Sequence, residues 1–119
     1  MSESVYWVYI LHCENNSYYA GYTTDLVRRY QEHVAGHAKC KYTRSFKPLG
    51  IVQCWQVTGS KAMAMRVERY IKKISKVEKS KLIESPHLLV QIFSNALEAG
   101  GSICAGEETL SLMGQAAGK

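Results

Sequence analysis

The sequence predicts a small α/β sandwich with a three-stranded, antiparallel sheet flanked by helices. The chain has 119 residues, which is the length of a single ordinary domain of ~100–150 residues. Apolar residues make up 46% and charged residues 21% of the chain, a composition typical of globular proteins. Runs of β-branched and aromatic residues alternate with segments of helical periodicity in the order ββαβα. Two adjacent strands followed by a third across a helix favour an antiparallel sheet.

The first two predicted strands form a β-hairpin. Residues 5–11 (VYWVYIL) are a dense run of β-branched and aromatic residues, and residues 18–22 (YYAGY) are a second, shorter run. Residues 14–17 (ENNS) between them are typical of a turn, because Asn tolerates left-handed backbone angles. Residues 50–57, bounded by glycines, are predicted to form the third strand.

Two amphipathic helices follow these strands. The first is predicted to be capped by Thr23 or Thr24, to carry Asp25 in its first turn and to end at Gly36. The second covers residues 61–76, where an apolar stripe faces the core and a separate stripe is basic. The basic stripe consists of Arg66, Arg69, Lys73 and Lys76.

The remainder of the chain is predicted to hold two further helices, over residues 77–84 and 87–99. From Gly100 onward the sequence is rich in Gly, Ala and Ser, which indicates a mobile tail. We therefore divide the chain into a domain of residues 1–85 and a segment of residues 86–119 with a helix and a Gly/Ala-rich tail.

The compartment is predicted from two absences in the sequence. No apolar run reaches the ~18–20 residues that span a bilayer, and residues 1–4 lack the basic residue of a secretory signal. The four cysteines are widely separated and contain no CxxC pair. We expect a soluble, cytoplasmic protein in which all four are free thiols. They are Cys13, Cys40, Cys54 and Cys104.

Positive charge is concentrated in the middle of the chain. The net charge is +5, but residues 26–81 carry fourteen basic and three acidic residues, a local net charge of +11, whereas each end is acidic. Such a segment indicates a surface that binds a polyanion, nucleic acid above all. The alternative is a solvated lysine-rich face without a ligand.

Paired tripeptides in the hairpin carry a family resemblance. Residues 7–9 (WVY) and 19–21 (YAG) resemble the two motifs of the GIY-YIG nuclease superfamily. Arg29 follows the second motif by eight residues and His33 follows Arg29 by four, which is similar to the superfamily's first helix. Glu68 lies on a later helix, after the third strand, where the superfamily keeps a metal-binding carboxylate.

Neighbouring segments are similar to the small stand-alone bacterial branch of that superfamily, the YhbQ-like proteins. These segments are residues 23–26 (TTDL), 41–44 (KYTR) and 68–73 (ERYIKK). The similarity covers residues 5–83. It implies the GIY-YIG fold and an endonuclease that uses Mg²⁺ or Mn²⁺ to hydrolyse DNA, more than RNA, in repair or recombination.

The resemblance also implies roles for individual residues. Tyr9 would be the general base and Tyr19 its partner, although either tyrosine could take the proton. A free phenol has a pKa of ~10, so we expect nearby Arg and Lys to lower it. Arg29 would bind the scissile phosphate bidentately, and His33 would assist at the phosphate or the tyrosines. Glu68 would hold the metal.

Further residues complete the predicted site. Gly21 suits a position of close approach. The backbone of the nucleic acid would be held by Lys39, Lys41, Arg44, Lys47, Arg66, Arg69, Lys73 and Lys76, with Tyr42 and Phe46 stacking on unpaired bases.

Other interpretations compete with this one. Glu68 has the spacing for an ion pair with Lys72, and Arg28 has the spacing for one with Glu32. His33, His37 and Cys40 have spacings that occur in zinc sites, without the usual paired ligands. The first tripeptide has Trp7 in place of Gly, the second has Ala20 in place of Ile, and no asparagine matches the one that several relatives carry late in the domain. A binding module with weak or no cleavage is therefore the alternative function.

Overall fold

The computed structural model describes residues 4–36, 40–95 and 101–106. Within these residues the chain forms a four-stranded antiparallel sheet in the order β2-β1-β3-β4, flanked by helices. In chain order the elements are β1 (Ser4–Cys13), β2 (Tyr18–Thr23), α1 (Leu26–Ala35), α2 (Lys41–Ser45), β3 (Pro48–Gly59), α3 (Lys61–Lys73), α4 (Lys76–Glu84), α5 (His87–Phe93) and β4 (Ser102–Ala105).

The predicted hairpin is confirmed, and its register places Tyr9 at the centre of the sheet. β1 pairs with β2 so that Tyr9 lies opposite Gly21, and it pairs with β3 so that Tyr9 also lies opposite Cys54. Asn16 in the connecting turn has a φ of 62°, the left-handed conformation that Asn tolerates. The hairpin therefore brings the two tripeptide motifs side by side.

The ends of α1 follow from its sequence, with one correction. The N-cap is Asp25, whose side chain accepts a hydrogen bond from the backbone N–H of Arg28. Thr23 does not cap the helix; its hydroxyl instead accepts from the backbone N–H of Asp25 at 3.1 Å. Gly36 ends the helix with a φ of 71°, as predicted.

The expectation of three strands is wrong, because the sheet has a fourth. Ser102–Ala105 pairs with residues 55–58 of β3 and buries Ile103. These residues lie in the segment predicted to be a mobile tail, so that prediction is wrong for them. A four-residue edge strand after two glycines carries too short a pattern to indicate a strand by itself. The division of the chain at residue 85 stays a prediction.

Two smaller elements also differ from the prediction. The connection between α1 and β3, for which the sequence predicted no regular element, contains the short helix α2, which carries the buried Thr43. α5 ends at Phe93, and residues 96–99 of the predicted 87–99 helix lie outside the described residues.

The two faces of the sheet bury separate apolar clusters. Val8, Ile10 and Trp55 pack on one face with residues of α3, α4, α5 and β4. Tyr9 and Leu11, which point to the opposite face, pack with Leu26 of α1. The first motif tyrosine is therefore held in a packed core at 1% exposure rather than at the surface.

The structure bears on two further sequence predictions, the free thiols and the lack of a membrane-spanning segment. All four cysteines are free, as expected, and only Cys104 among them is exposed. Among the described residues, no helix has the length and apolar character of a membrane span.

Candidate active site

An open cavity of about 500 Å³ lies at the β2 side of the sheet, between α1 and α3. Five of the residues that the sequence singled out line it together. They are Tyr9, Tyr19, Gly21, Arg29 and Glu68. The structure thus brings together side chains that are as much as 59 positions apart in the sequence.

Gly21 is required by the position of the Tyr9 ring. A Cβ atom added to Gly21 would lie 2.5 Å from the hydroxyl oxygen of Tyr9 and 2.8 Å from its Cζ. Both distances are far below van der Waals contact. The close approach that the sequence predicted at Gly21 is therefore one of a side chain, Tyr9, over the glycine.

His33 links Tyr9 to α2 through two hydrogen bonds. Its Nε2 lies 2.9 Å from the Tyr9 hydroxyl, and its Nδ1 lies 2.8 Å from the Thr43 hydroxyl. His33 is fully buried. Burial, together with the positive charge of Arg29, lowers the pKa of His33 to about 4. The imidazole is therefore neutral at physiological pH.

The expected lowering of the Tyr9 pKa is wrong in direction. Burial raises the pKa of Tyr9 well above 10, and the hydrogen bond from Arg29 only partly offsets this. The charge of a phenolate in this packed environment would be poorly solvated. Tyr9 therefore carries its proton at neutral pH, and any base function requires an acceptor for that proton.

Arg29 is fixed at the wall of the cavity by two partners. Its Nη1 donates to Glu32 Oε1 at 2.9 Å, and its guanidinium also interacts with Tyr9. Burial alone would lower the pKa of Arg29, but these partners raise it, so the group is charged. The expected pairing of Arg28 with Glu32 is wrong, because Arg28 pairs with Asp25 at 3.8 Å.

Tyr19 joins the cavity to an aromatic strip. Its ring packs edge-on against His33 at a centroid distance of 5.2 Å and stacks on Tyr42 at 5.5 Å with an interplanar angle of 18°. The ring centroids of Tyr42 and Phe46 are 5.2 Å apart. Lys72 Nζ lies 5.9 Å from the Tyr19 centroid. We call Tyr19, Tyr42 and Phe46 the aromatic strip.

Glu68 supplies the carboxylate of the site. Its side chain is 18% exposed, and the ion pair with Lys72 that the spacing allowed is present at 3.5 Å. Within the described residues, no group of three His, Cys, Asp or Glu is placed to hold a metal. A single carboxylate still suits Mg²⁺, because this ion keeps several waters and completes its coordination with substrate phosphate.

The zinc interpretation does not suit the described residues. Both ring nitrogens of His33 are already engaged by Tyr9 and Thr43, and His37 lies outside the described residues. Zinc sites need three or four N or S ligands around one point.

None of the predicted basic residues that the structure describes lines the cavity, and Lys39 lies outside the described residues. Lys41, Arg44, Lys47, Arg66, Arg69, Lys73 and Lys76 are exposed. Lys76 Nζ donates to Asn16 O at 2.5 Å and lies over the Tyr18 ring.

The residues in or next to the site that the sequence prediction missed include Lys61 and Thr43. Lys61 lines the cavity; it lies seven positions before Glu68 on α3, a spacing that returns to the same helix face and is a usable signal. Thr43 was quoted only as part of a similar segment, and its contact with His33 depends on how α2 folds back, which no local pattern reveals.

Comparison with known proteins places the chain in a family. The GIY-YIG catalytic domain model matches residues 5–81. UPF0213 proteins are similar as well: that of Halalkalibacterium halodurans is 42% identical over 78 residues, covering 66% of this chain and 81% of the relative. That of Listeria monocytogenes is 40% identical over 76 residues, which cover 64% of this chain and 83% of the relative. That of Staphylococcus haemolyticus is 42% identical over 79 residues, which cover 66% of this chain and 94% of the relative.

One solved structure is also similar. It is the solution NMR structure of a UPF0213 protein from Bacillus halodurans, 40% identical, covering 67% of this chain and 83% of that one at a TM-score of 0.41. The family match runs from β1 through α3, which contains Glu68, into α4. The chain belongs to the GIY-YIG catalytic domain family, a nuclease superfamily, and within it to the small bacterial branch of the UPF0213 proteins.

Proposed function

We propose that this protein is a cytoplasmic, metal-dependent endonuclease that hydrolyses phosphodiester bonds in DNA. We further propose that it recognises DNA structure and acts in repair or recombination. The observation that carries the catalytic part is the convergence of Tyr9, Tyr19, Arg29 and Glu68 on one open cavity. The four free cysteines support a reducing compartment.

The positive wall of the cavity is suited to a phosphate. Arg29 is charged, partly exposed and held in place by Glu32, so its guanidinium needs little ordering when a phosphate binds. Lys61 adds a second cation on the opposite helix. Together they would position the scissile phosphate and stabilise the charge that develops on its oxygens during attack.

Tyr9 and His33 are suited to move the proton of the attacking water. The raised pKa of Tyr9 means that the phenol cannot act as a preformed phenolate. The Tyr9 oxygen would accept the proton of the water while its own proton passes to Nε2 of the neutral His33, 2.9 Å away. Tyr19, which packs against His33, would orient this pair or the water.

Glu68 would hold the Mg²⁺ or Mn²⁺ ion beside the phosphate. The bound ion supplies Lewis-acid polarisation of the phosphoryl oxygen and lowers the pKa of a bound water. Lys72, 3.5 Å from Glu68, neutralises the carboxylate until then. Because the described residues bring together no group of three His, Cys, Asp or Glu that could hold a metal, we expect weak metal binding that the substrate strengthens.

The aromatic strip gives a physical basis for recognition of DNA structure. Phe46 is 37% exposed and contacts Tyr42, which in turn stacks on Tyr19 at the wall of the cavity. Bases can stack on such rings only where they are unpaired, as in a single strand, a flap or a junction. The exposed basic residues of α2 and α3 would hold the sugar-phosphate backbone without reading sequence.

The second candidate function is a nucleic-acid-binding module on the same fold with weak or no cleavage. The replacement of the motif Gly by Trp7 and the lack of a matching late asparagine favour it. Both candidates use the same basic surface, so binding alone does not distinguish them.

The test is a cleavage assay on purified protein. Labelled duplex, single-stranded, flapped and four-way DNA, and RNA, are incubated with Mg²⁺, Mn²⁺ or EDTA. Glu68→Ala and the exposed control Glu84→Ala are prepared identically. We expect metal-dependent cutting of substrates with unpaired bases, lost in Glu68→Ala and kept in Glu84→Ala. Cutting that persists in Glu68→Ala contradicts the assignment, and salt-sensitive binding without cutting supports the binding module.

A further inference from the structure

We propose that Thr43, hydrogen-bonded to the backbone carbonyl of Cys40, is a positioning residue that keeps the proton of His33 on Nδ1. As a consequence, the Tyr9 hydroxyl donates its proton to His33 and not towards the cavity. The proposal deepens the proposed function, on which it rests only for its kinetic consequence. Thr43 is not among the residues that line the cavity, and the sequence analysis gave it no role.

The contact between the Thr43 hydroxyl and Cys40 O, a carbonyl that also accepts from the backbone N–H of Arg44 at 3.0 Å, sets the direction of the hydrogen-bond chain. The Thr43 hydroxyl has one proton and two close partners, Cys40 O at 3.3 Å and His33 Nδ1 at 2.8 Å. A carbonyl oxygen can only accept, so that contact is made only if Thr43 donates to Cys40. The Thr43 oxygen is then left to accept, which requires a proton on His33 Nδ1.

The next link follows from the first. A neutral imidazole carries one proton, so with Nδ1 protonated, Nε2 has a lone pair and can only accept. Its neighbour at 2.9 Å is the Tyr9 hydroxyl, which must therefore donate to it. The chain runs from Tyr9 to His33 to Thr43 to the carbonyl of Cys40.

The direction of the chain decides which part of the Tyr9 hydroxyl faces the cavity. Arg29 has donors and no acceptor, so its interaction with Tyr9 occupies a lone pair on the phenol oxygen whichever tautomer His33 adopts. If His33 also donated to Tyr9, the phenol would receive two donors from the protein and its own proton would point into the cavity. With the opposite tautomer, the remaining lone pair of Tyr9 is available to the cavity instead.

Because Thr43 and His33 are buried, the Nδ1 proton of His33 depends on the Thr43 hydroxyl as its acceptor. Thr43 is 1% exposed and His33 is fully buried, so water cannot replace the threonine hydroxyl as the partner of Nδ1. A Thr43 side chain without a hydroxyl would leave a buried N–H unsatisfied, a state that proteins avoid. The imidazole would then move its proton to Nε2, and the Tyr9 oxygen would lose its role as acceptor for water.

The first test needs no activity. A long-range ¹⁵N–¹H spectrum of the uniformly labelled protein separates the protonated ring nitrogen of each histidine from the bare one. The His33 signals are assigned by their loss in His33→Gln. We expect His33 in the Nδ1–H form at neutral pH in the wild type and in Thr43→Ser, and in the Nε2–H form in Thr43→Val. A wild-type His33 in the Nε2–H form overturns the proposal.

The second test separates positioning from structure. Thr43→Val should lower kcat for DNA cleavage at least tenfold with little change in KM, and Thr43→Ser, which keeps the hydroxyl, should restore it. Equal kcat values for Thr43→Val and the wild type, with a changed tautomer, overturn the kinetic part. If the wild type does not cleave, the proposed function fails while the spectra still decide the tautomer. If Thr43→Val does not fold, the wild-type spectrum and Thr43→Ser decide.

Discussion

Substitution of Gly21 by alanine tests whether the Tyr9 ring must lie across that glycine for the site to work. The added Cβ would lie 2.5 Å from the Tyr9 oxygen, whereas ordinary contact begins at 3.4 Å, so the hydroxyl must move by about 0.9 Å. Tyr9 is 1% exposed, and its hydroxyl is held by His33 at 2.9 Å, so moving it disturbs that hydrogen bond. We expect a loss of ~1–3 kcal/mol in the free energy of unfolding, as for other overpacked cores.

The same displacement should affect catalysis more than folding. A shift of ~1 Å in a reacting group costs on the order of 10²-fold in rate, and here it also lengthens the 2.9 Å hydrogen bond to His33. The assays are urea unfolding and single-turnover cleavage. We expect the Gly21→Ala variant to be folded and about a hundredfold slower.

The control for this prediction is a double-mutant cycle with Tyr9→Phe. That substitution removes the oxygen that the new Cβ would strike, so Gly21→Ala should destabilise the protein less in the Tyr9→Phe background. Additive free energies of unfolding, or wild-type cleavage by Gly21→Ala alone, would refute the reasoning.

Three further predictions follow from burial and charge. The pKa of His33 is lowered to about 4 from an ordinary value near 6.5, so the unfolded chain binds this proton more readily than the folded one. The contribution of neutral His33 to the free energy of unfolding should therefore be complete above pH ~6.5 and should be lost, by up to ~3 kcal/mol, as the pH falls towards 4. Urea unfolding at several pH values should show this loss, and His33→Gln should abolish it. Alkylation of the native protein should modify Cys104 and spare the three buried cysteines. Burial also raises the pKa of Cys54 to about 12, which further lowers the reactivity of that thiol. A second fast-reacting thiol would contradict the described core. Lys61→Ala should weaken DNA binding and reduce the slope of log K against log salt by about 1, whereas the exposed control Lys81→Ala should leave the slope unchanged.

The sequence was sufficient to predict most of the sheet, because strong local patterns specify it. The aromatic run of β1, the Asn-containing turn and the caps of α1 all have signals within a few residues of where they act. β4 was missed because four residues at a sheet edge carry almost no periodicity, and their stability comes from pairing with β3.

The candidate site was predictable where the family resemblance or helix spacing reaches it. Tyr9, Tyr19, Arg29 and Glu68 were named from their motif positions, and the structure places all four on one cavity. The direction of the Tyr9 pKa was not predictable, because it depends on how deeply β1 is buried. The role of Thr43 depends on a contact between two helices, α1 and α2, and spacing along either helix does not encode that contact.

The most direct test of the account is single-turnover cleavage and DNA binding measured on the same labelled substrate for tyrosine-to-phenylalanine variants. Tyr9→Phe removes one oxygen from the proton path, and Tyr22→Phe removes one from another tyrosine that lines the same cavity. Tyr19→Phe is measured beside them. The account predicts that Tyr9→Phe lowers the cleavage rate by at least ~10²-fold and keeps its affinity for DNA within about twofold of the wild type. Tyr22→Phe should not show this loss of cleavage rate. Cleavage by Tyr9→Phe at the wild-type rate would contradict it.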